Sequence, residues 1–170
     1  MRYEIFKEKV DVFWEQEMWM QLNADRSKYQ FLLLVHPAFG MAGVGKADWR
    51  FGLRKSLNAF VLSTHKLEIE TGRYTRPPTA RDQRLCTFCL AQGVRAVGDE
   101  THVLDECAQF RNDRIMAWRD IRQVILQPIF QGDKLSELLK ELDSFKLTTR
   151  MKVWRVVAIL VEKIQKSKTQ

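Results

Sequence analysis

The stretch RLCTFCLAQGVRAVGDETHVLDEC, residues 84–107, contains all three cysteines of a 170-residue chain and one of its three histidines. Cys86 and Cys89 form a C-x2-C pair, twelve residues separate Cys89 from His102, and Cys107 closes the run HVLDEC. Two short-spaced pairs joined by a loop are the ligand pattern of a tetrahedral structural zinc site with three thiolates and one imidazole. The two-residue gap turns both sulfurs back onto one ion. HVLDEC brings imidazole and thiolate to the same ion across one helical turn that opens at its end. Buried free cysteines scatter through a core and do not cluster at ligand spacing. The cysteine count is odd and the first residues lack a secretory pattern, which argues against a disulfide framework.

The length suits one ordinary domain with its own core. Five Trp and ten Phe among 45 % apolar residues exclude a disordered tail. The longest apolar runs, Phe31–Val35 and Val156–Val161, are too short to cross a bilayer. MRYEIFKEKVDVFW mixes acids with bases and has no apolar signal core, so a reducing compartment, nuclear or cytoplasmic, is expected. The net charge of +7 is unevenly spread: residues 46–98 carry 10 basic and 4 acidic side chains, residues 99–133 carry 4 and 7. Such a basic block binds phosphates or keeps a helical surface solvated.

Periodicity predicts a mainly α fold: one helical domain with an embedded CCHC zinc knuckle. Its parts are N-terminal helices over 1–70, a basic connection and the knuckle over 71–108, and C-terminal helices over 109–170. Phe6, Val10, Phe13, Trp14 and Met18 mark a first helix. KYQFLLLVH, residues 28–36, reads either as a short helix or as a buried strand. A long helix is expected over 48–69, with Trp49, Leu53, Leu57, Phe60 and Val61 on one face. TGRYTRPPTARDQ then reads as an extended polar connection, because Pro77 and Pro78 disfavour helix. A helix over 109–126 should turn Ile115, Trp118 and Ile125 inward. Asp133 should cap a helix over 134–144 carrying Leu135, Leu138, Leu139 and Leu142, and Thr148 or Thr149 should open the last helix, with Val153, Val157, Leu160 and Ile164 inward.

Gly40 to Lys46 fits G-x-x-x-x-G-K, but Ala47 stands where a phosphate-binding loop needs a magnesium-holding hydroxyl, and no strand–helix series follows. It reads as a glycine-rich connection. His36, beside Pro37, has no cysteine or acid at a telling spacing, and His65 lies near the end of a long helix; both read as packing or capping residues. H-E-x-x-H and G-x-S-x-G are absent. DETH puts Glu100 before His102, the reverse of the zinc-deaminase order, and four protein ligands leave no position for water. No catalytic residue is assigned and the chain reads as a non-enzyme. Asp99, Glu100 and Glu106 are the candidates to accept the second ring N–H of His102.

LSTHKLEIETGRYTRPPTARDQRLCTFC followed by VGDETHVLDECAQFRNDR resembles the C-terminal region of LINE-type (non-LTR) retrotransposon reverse transcriptases. There a helix ending in a His-Leu-Ile-Glu-Gly-Arg run leads into a cysteine–cysteine–histidine–cysteine knuckle. The specific part covers residues 60–114. The resemblance implies zinc at Cys86, Cys89, His102 and Cys107, and a role in gripping RNA or DNA. The polymerase part with its catalytic carboxylates is absent, and Ala108 stands where the family often has proline.

Two functions remain in competition. One is a zinc-stabilised module that binds RNA or single-stranded DNA. Arg73, Arg76, Arg81, Arg84 and Arg95 would contact phosphates, and Tyr74 would stack on an unpaired base. The same arginines could instead be solvated or neutralise the metal site, whose three thiolates and Zn²⁺ sum to −1. The other is a non-enzymatic structural subunit of a large protein or ribonucleoprotein assembly, with aromatic helix faces against protein partners.

Overall fold

The computed structural model describes residues 28–35, 49–125 and 132–168, together with Met20 and Ala24. The expected first helix over 3–22, the Gly40–Lys46 loop and His36 lie outside this set, Met20 apart.

The longest element, α8 (Leu147–Ser167), is central because it is apolar on two sides. Val153, Trp154, Val157, Ala158, Leu160, Val161 and Ile164 are buried, leaving a narrow strip for water that includes Ile159. At 1.5 Å per residue it spans about 30 Å. Helix α2 (Phe51–Val61) lies along one side, contributing Leu53, Leu57, Phe60 and Val61 at helical spacing. Helix α6 (Arg111–Val124) lies along the other, with Ala117 and Ile121 inward. Polar staples fix the register: Gln165 donates to the Ser56 carbonyl at 2.8 Å, and Lys163 pairs with Asp113 at 2.7 Å. Helix α1 (Gln30–Val35) resolves the ambiguity at 28–36 in favour of helix; Phe31 and Leu32 are buried. It packs on α7 (Leu135–Glu141), and Phe31 meets Phe60 edge-on at 5.2 Å. The short helices α3 (Glu68–Thr71), α4 (Thr87–Leu90) and α5 (Glu100–Asp105) surround the cysteine cluster. The fold is mainly α; among the described residues the strand-like pairing is one isolated bridge, Leu85 with Val97.

The predicted helix over 48–69 is broken in two. Thr64 N–H returns to the Ala59 carbonyl at 2.8 Å and Ser63 N–H to the Phe60 carbonyl at 3.3 Å, with Ser63 at φ 50°. This is a Schellman C-cap with serine at the left-handed position usually given to glycine. Its hydroxyl donates to Glu100 at 2.8 Å, a bond that holds this turn. Helix α6 is rotated from expectation: Ile115 is exposed, while Ala117 and Ile121 are buried. Trp118 and Ile125 are half-buried, and Trp118 donates its indole N–H to the Asp133 carbonyl at 2.9 Å. Asp133 does not cap α7. That cap comes from Asp105, which accepts from Ser136 N–H at 3.1 Å and from the Ser136 hydroxyl. The four predicted leucines of this segment are buried, as are Val153, Val157, Leu160 and Ile164 of α8, although α8 opens at Leu147.

Candidate metal centre

The site begins with a tight turn. Cys86 precedes α4, and its carbonyl accepts from Leu90 N–H at 2.9 Å, so Cys86 and Cys89 lie one turn apart on one side. The chain reverses through Gly93 at φ 76°. It returns alongside itself, with Cys86 N–H bonded to the Ala96 carbonyl and Gly98 N–H to the Arg84 carbonyl, both at 2.8 Å. Asp99 then caps α5 by accepting from His102 N–H at 2.9 Å. Just beyond α5, Cys107 N–H bonds back to the His102 carbonyl at 2.8 Å, bringing the last ligand under the first three.

The four ligand atoms of Cys86, Cys89, His102 and Cys107 lie within 4.8 Å of one another, and all four residues are buried. Sγ of Cys107 is 3.8 Å from that of Cys86 and 3.7 Å from that of Cys89; Cys89 Sγ is 3.3 Å from His102 Nε2. A tetrahedral ion with metal–sulfur bonds of ~2.3 Å requires sulfur–sulfur separations of ~3.8 Å. The cluster therefore fits a metal ion held by four protein atoms.

The four groups are linked by hydrogen bonds. A hydrogen bond from the Cys107 thiol holds Cys86 down at about 3, against the opposing effect of burial. The same bond, with burial, pushes Cys107 well above the ordinary thiol range. Hydrogen bonding to the Cys86 sulfur, reinforced by Cys89, raises His102 to about 9. A bound cation displaces these protons and leaves thiolates and a neutral imidazole.

The sequence LEIETGRY builds the support beneath. Leu67 and Ile69 are buried, and Ile69 N–H bonds to the Gly98 carbonyl at 3.1 Å. Glu68 caps α4, accepting from Thr87 N–H at 3.0 Å and its hydroxyl at 2.7 Å, and it also pairs with Lys168. Glu70, buried, takes Arg73 at 3.0 Å, Lys28 at 3.9 Å and the Tyr74 hydroxyl at 3.0 Å. His65 accepts from Leu67 N–H at 3.2 Å through Nδ1 and contacts Glu100 at 2.7 Å through Nε2. Burial opposes ionisation of Glu100, but His65 outweighs it and holds the carboxyl below its ordinary value. Of the candidates for the second ring nitrogen of His102, Asp99 and Glu100 are thus engaged elsewhere. Glu106 comes nearest at 3.7 Å, beyond hydrogen-bond reach, and Nδ1 has no hydrogen-bond partner among the described residues.

The basic connection is not extended. Thr79 N–H closes onto the Gly72 carbonyl at 2.9 Å and onto Thr75 Oγ1 at 2.9 Å, making a compact loop. Arg84 fastens it from inside, donating to the Thr79 carbonyl at 2.9 Å and the Ile69 carbonyl at 2.8 Å. Its stem covers Gly72, where a Cβ would lie 2.7 Å from Arg84 Cγ. Arg84 is thus bound to carbonyls of its own chain. Arg73 is half-buried against Glu70, and Arg81 reaches Asp99 at 3.4 Å. Tyr74, Arg76 and Arg95 are exposed. The cations beside the sulfurs are ones the sequence did not single out. Arg114 donates to the Cys107 carbonyl at 2.6 Å; Lys168 lies 3.1 Å from Thr87 Oγ1 and 4.3 Å over the Phe88 ring.

Comparison of the chain with protein-family models, curated proteins and solved structures returned no match.

Proposed function

We propose that this chain is a non-enzymatic helical module, stabilised by structural zinc, that binds RNA or single-stranded DNA in a nuclear or cytoplasmic reducing compartment. Three thiolates and one imidazole in a closed set are a zinc ligand chemistry, and four buried protein ligands would complete a tetrahedral structural site. The resemblance of residues 60–114 to LINE-type reverse-transcriptase tails supports the nucleic-acid role.

The observation that carries the reading is Tyr74. Its ring is 70 % exposed, yet its hydroxyl is tied to Glu70 and its loop is pinned by Arg84. A solvent-facing aromatic held through Glu70 is a stacking platform for an unpaired base, with the exposed Arg76 and Arg95 facing phosphates and Arg81 able to exchange Asp99 for one. The test is fluorescence anisotropy with a single-stranded oligonucleotide across a salt series. Arg76, Arg81 and Arg95 replaced together by Ala should flatten the log–log slope by about two units, at ~0.7 per phosphate contact. Tyr74→Ala should weaken single-strand binding more than duplex binding, because only unpaired bases offer a free face. A parent chain that binds no oligonucleotide at any salt would end this reading.

The structural-subunit reading draws on a different observation: Arg73, Arg81 and Arg84 contact groups of the protein itself. Ile115 and Met116 meanwhile stand exposed on α6. Under that reading the parent would co-purify with a protein assembly and ignore oligonucleotides.

A further inference from the structure

Helix α2 presents a groove that the Tyr74 loop does not use. One half, about 600 Å³, is lined by Phe51, Arg54, Lys55, Asn58 and Leu62, among others. Its neighbour, about 380 Å³, is lined by Lys55, Lys66, Gln165 and Lys166, with Glu162 as its acid. The halves share Lys55, Ala59 and Thr64, so they form one surface across the outer side of α2.

The two halves differ in chemistry. In the first, Phe51 is 71 % exposed, and Ala59 and Leu62 add apolar surface beside Arg54 and Lys55. Arg54 keeps an Nε–H shielded from solvent with no acceptor among the described residues. In the second, Lys55 and Lys66 are exposed and make no ion pair among the described residues, while Lys166 pairs with Glu162 at 3.4 Å. An exposed aromatic meets the needs of an unpaired base, which wants a stacking face. Two lysines a short step away meet the needs of the phosphate that follows it.

We infer that the α2 groove is a second contact for single-stranded nucleic acid, with Phe51 stacking on a base and Lys55 and Lys66 holding phosphates. The inference rests on the nucleic-acid reading above. An exposed aromatic ring among Arg54, Lys55 and Lys66 favours a single-stranded nucleic acid over an acidic peptide, because a base uses the stacking face and an acidic side chain does not.

The experiment uses the full chain with a fluorescein-labelled oligo(U) 20-mer and a mixed-sequence RNA duplex of equal length. Phe51→Ala should weaken oligo(U) binding about fivefold to tenfold and duplex binding less than twofold. Lys55→Ala with Lys66→Ala should lower the salt slope by about 1.4, two contacts at ~0.7 each. Both changes are at exposed positions, and unaltered melting curves will confirm that the fold is intact. If the parent binds and the Tyr74-loop variants weaken it, but the α2 variants bind with parental affinity and slope, the groove has another occupant and this inference fails alone. If the parent does not bind, both readings fall.

Discussion

Gly98 has no space for a side chain. A Cβ there would lie 2.4 Å from Glu68 Oε2 and 3.0 Å from Cys86 Cα. The first atom belongs to the carboxylate that caps α4, the second to the backbone of a metal ligand, and neither can retreat without loosening the knuckle. Gly98→Ala should therefore destabilise the protein by about 1–3 kcal/mol and reduce bound metal. Denaturant unfolding with elemental analysis checks this; a stable, fully loaded Gly98→Ala would show that the knuckle tolerates a shift of Glu68. The clustering of Cys86, Cys89, His102 and Cys107 was legible in the sequence because their spacing is local and their chemistry narrow. Their supports were not. Glu68 reaches Thr87, and Lys168 returns from the far end of α8 to Glu68. Such partners are joined by the fold, and no spacing rule announces them.

At the scale of elements, periodicity located apolar faces better than it located ends. The leucines of α7 and the valines of α8 face inward as their spacing required, since burial of a stripe follows directly from sequence order. The cap of α7 did not follow, because Asp105 supplies it from another helix. Nor did the stop after α2, where a serine takes the left-handed position. Ile115 points outward while Ala117 and Ile121 of the same helix are buried, a choice that hydrophobicity alone does not rank. The cross-helix cap has a measurable consequence. Asp105→Ala removes the acceptor for both Ser136 N–H and its hydroxyl, and should cost about 1–2 kcal/mol. Asp105→Asn keeps one oxygen acceptor and should cost less. Equal stability of the parent and Asp105→Ala in urea unfolding would show that solvent replaces the cap without loss.

Across the whole molecule, the knuckle is joined to the helices by a few defined bonds. Glu100 between Ser63 and His65 ties it to the end of α2, Asp105 ties it to α7, and Glu68 with Lys168 ties it to the end of α8. The α2–α8–α6 layer, by contrast, is held by its own apolar faces and by Gln165 and Lys163. Stripping metal with a strong chelator removes the bonds that close residues 86–107, and metal-binding energy is folding energy for such a unit. Loss should thus travel along those bonds. Amide hydrogen exchange of the chelated protein should show protection lost across 85–110 and at the start of α7, with α2 and the middle of α8 still protected. Cys107→Ser should give the same map without chelator, because it removes the ligand closest to two other sulfurs. Uniform loss of protection would mean that the helical layer cannot stand without the knuckle. Full protection in the chelated protein would mean that the four side chains are a packed core cluster and not a metal site.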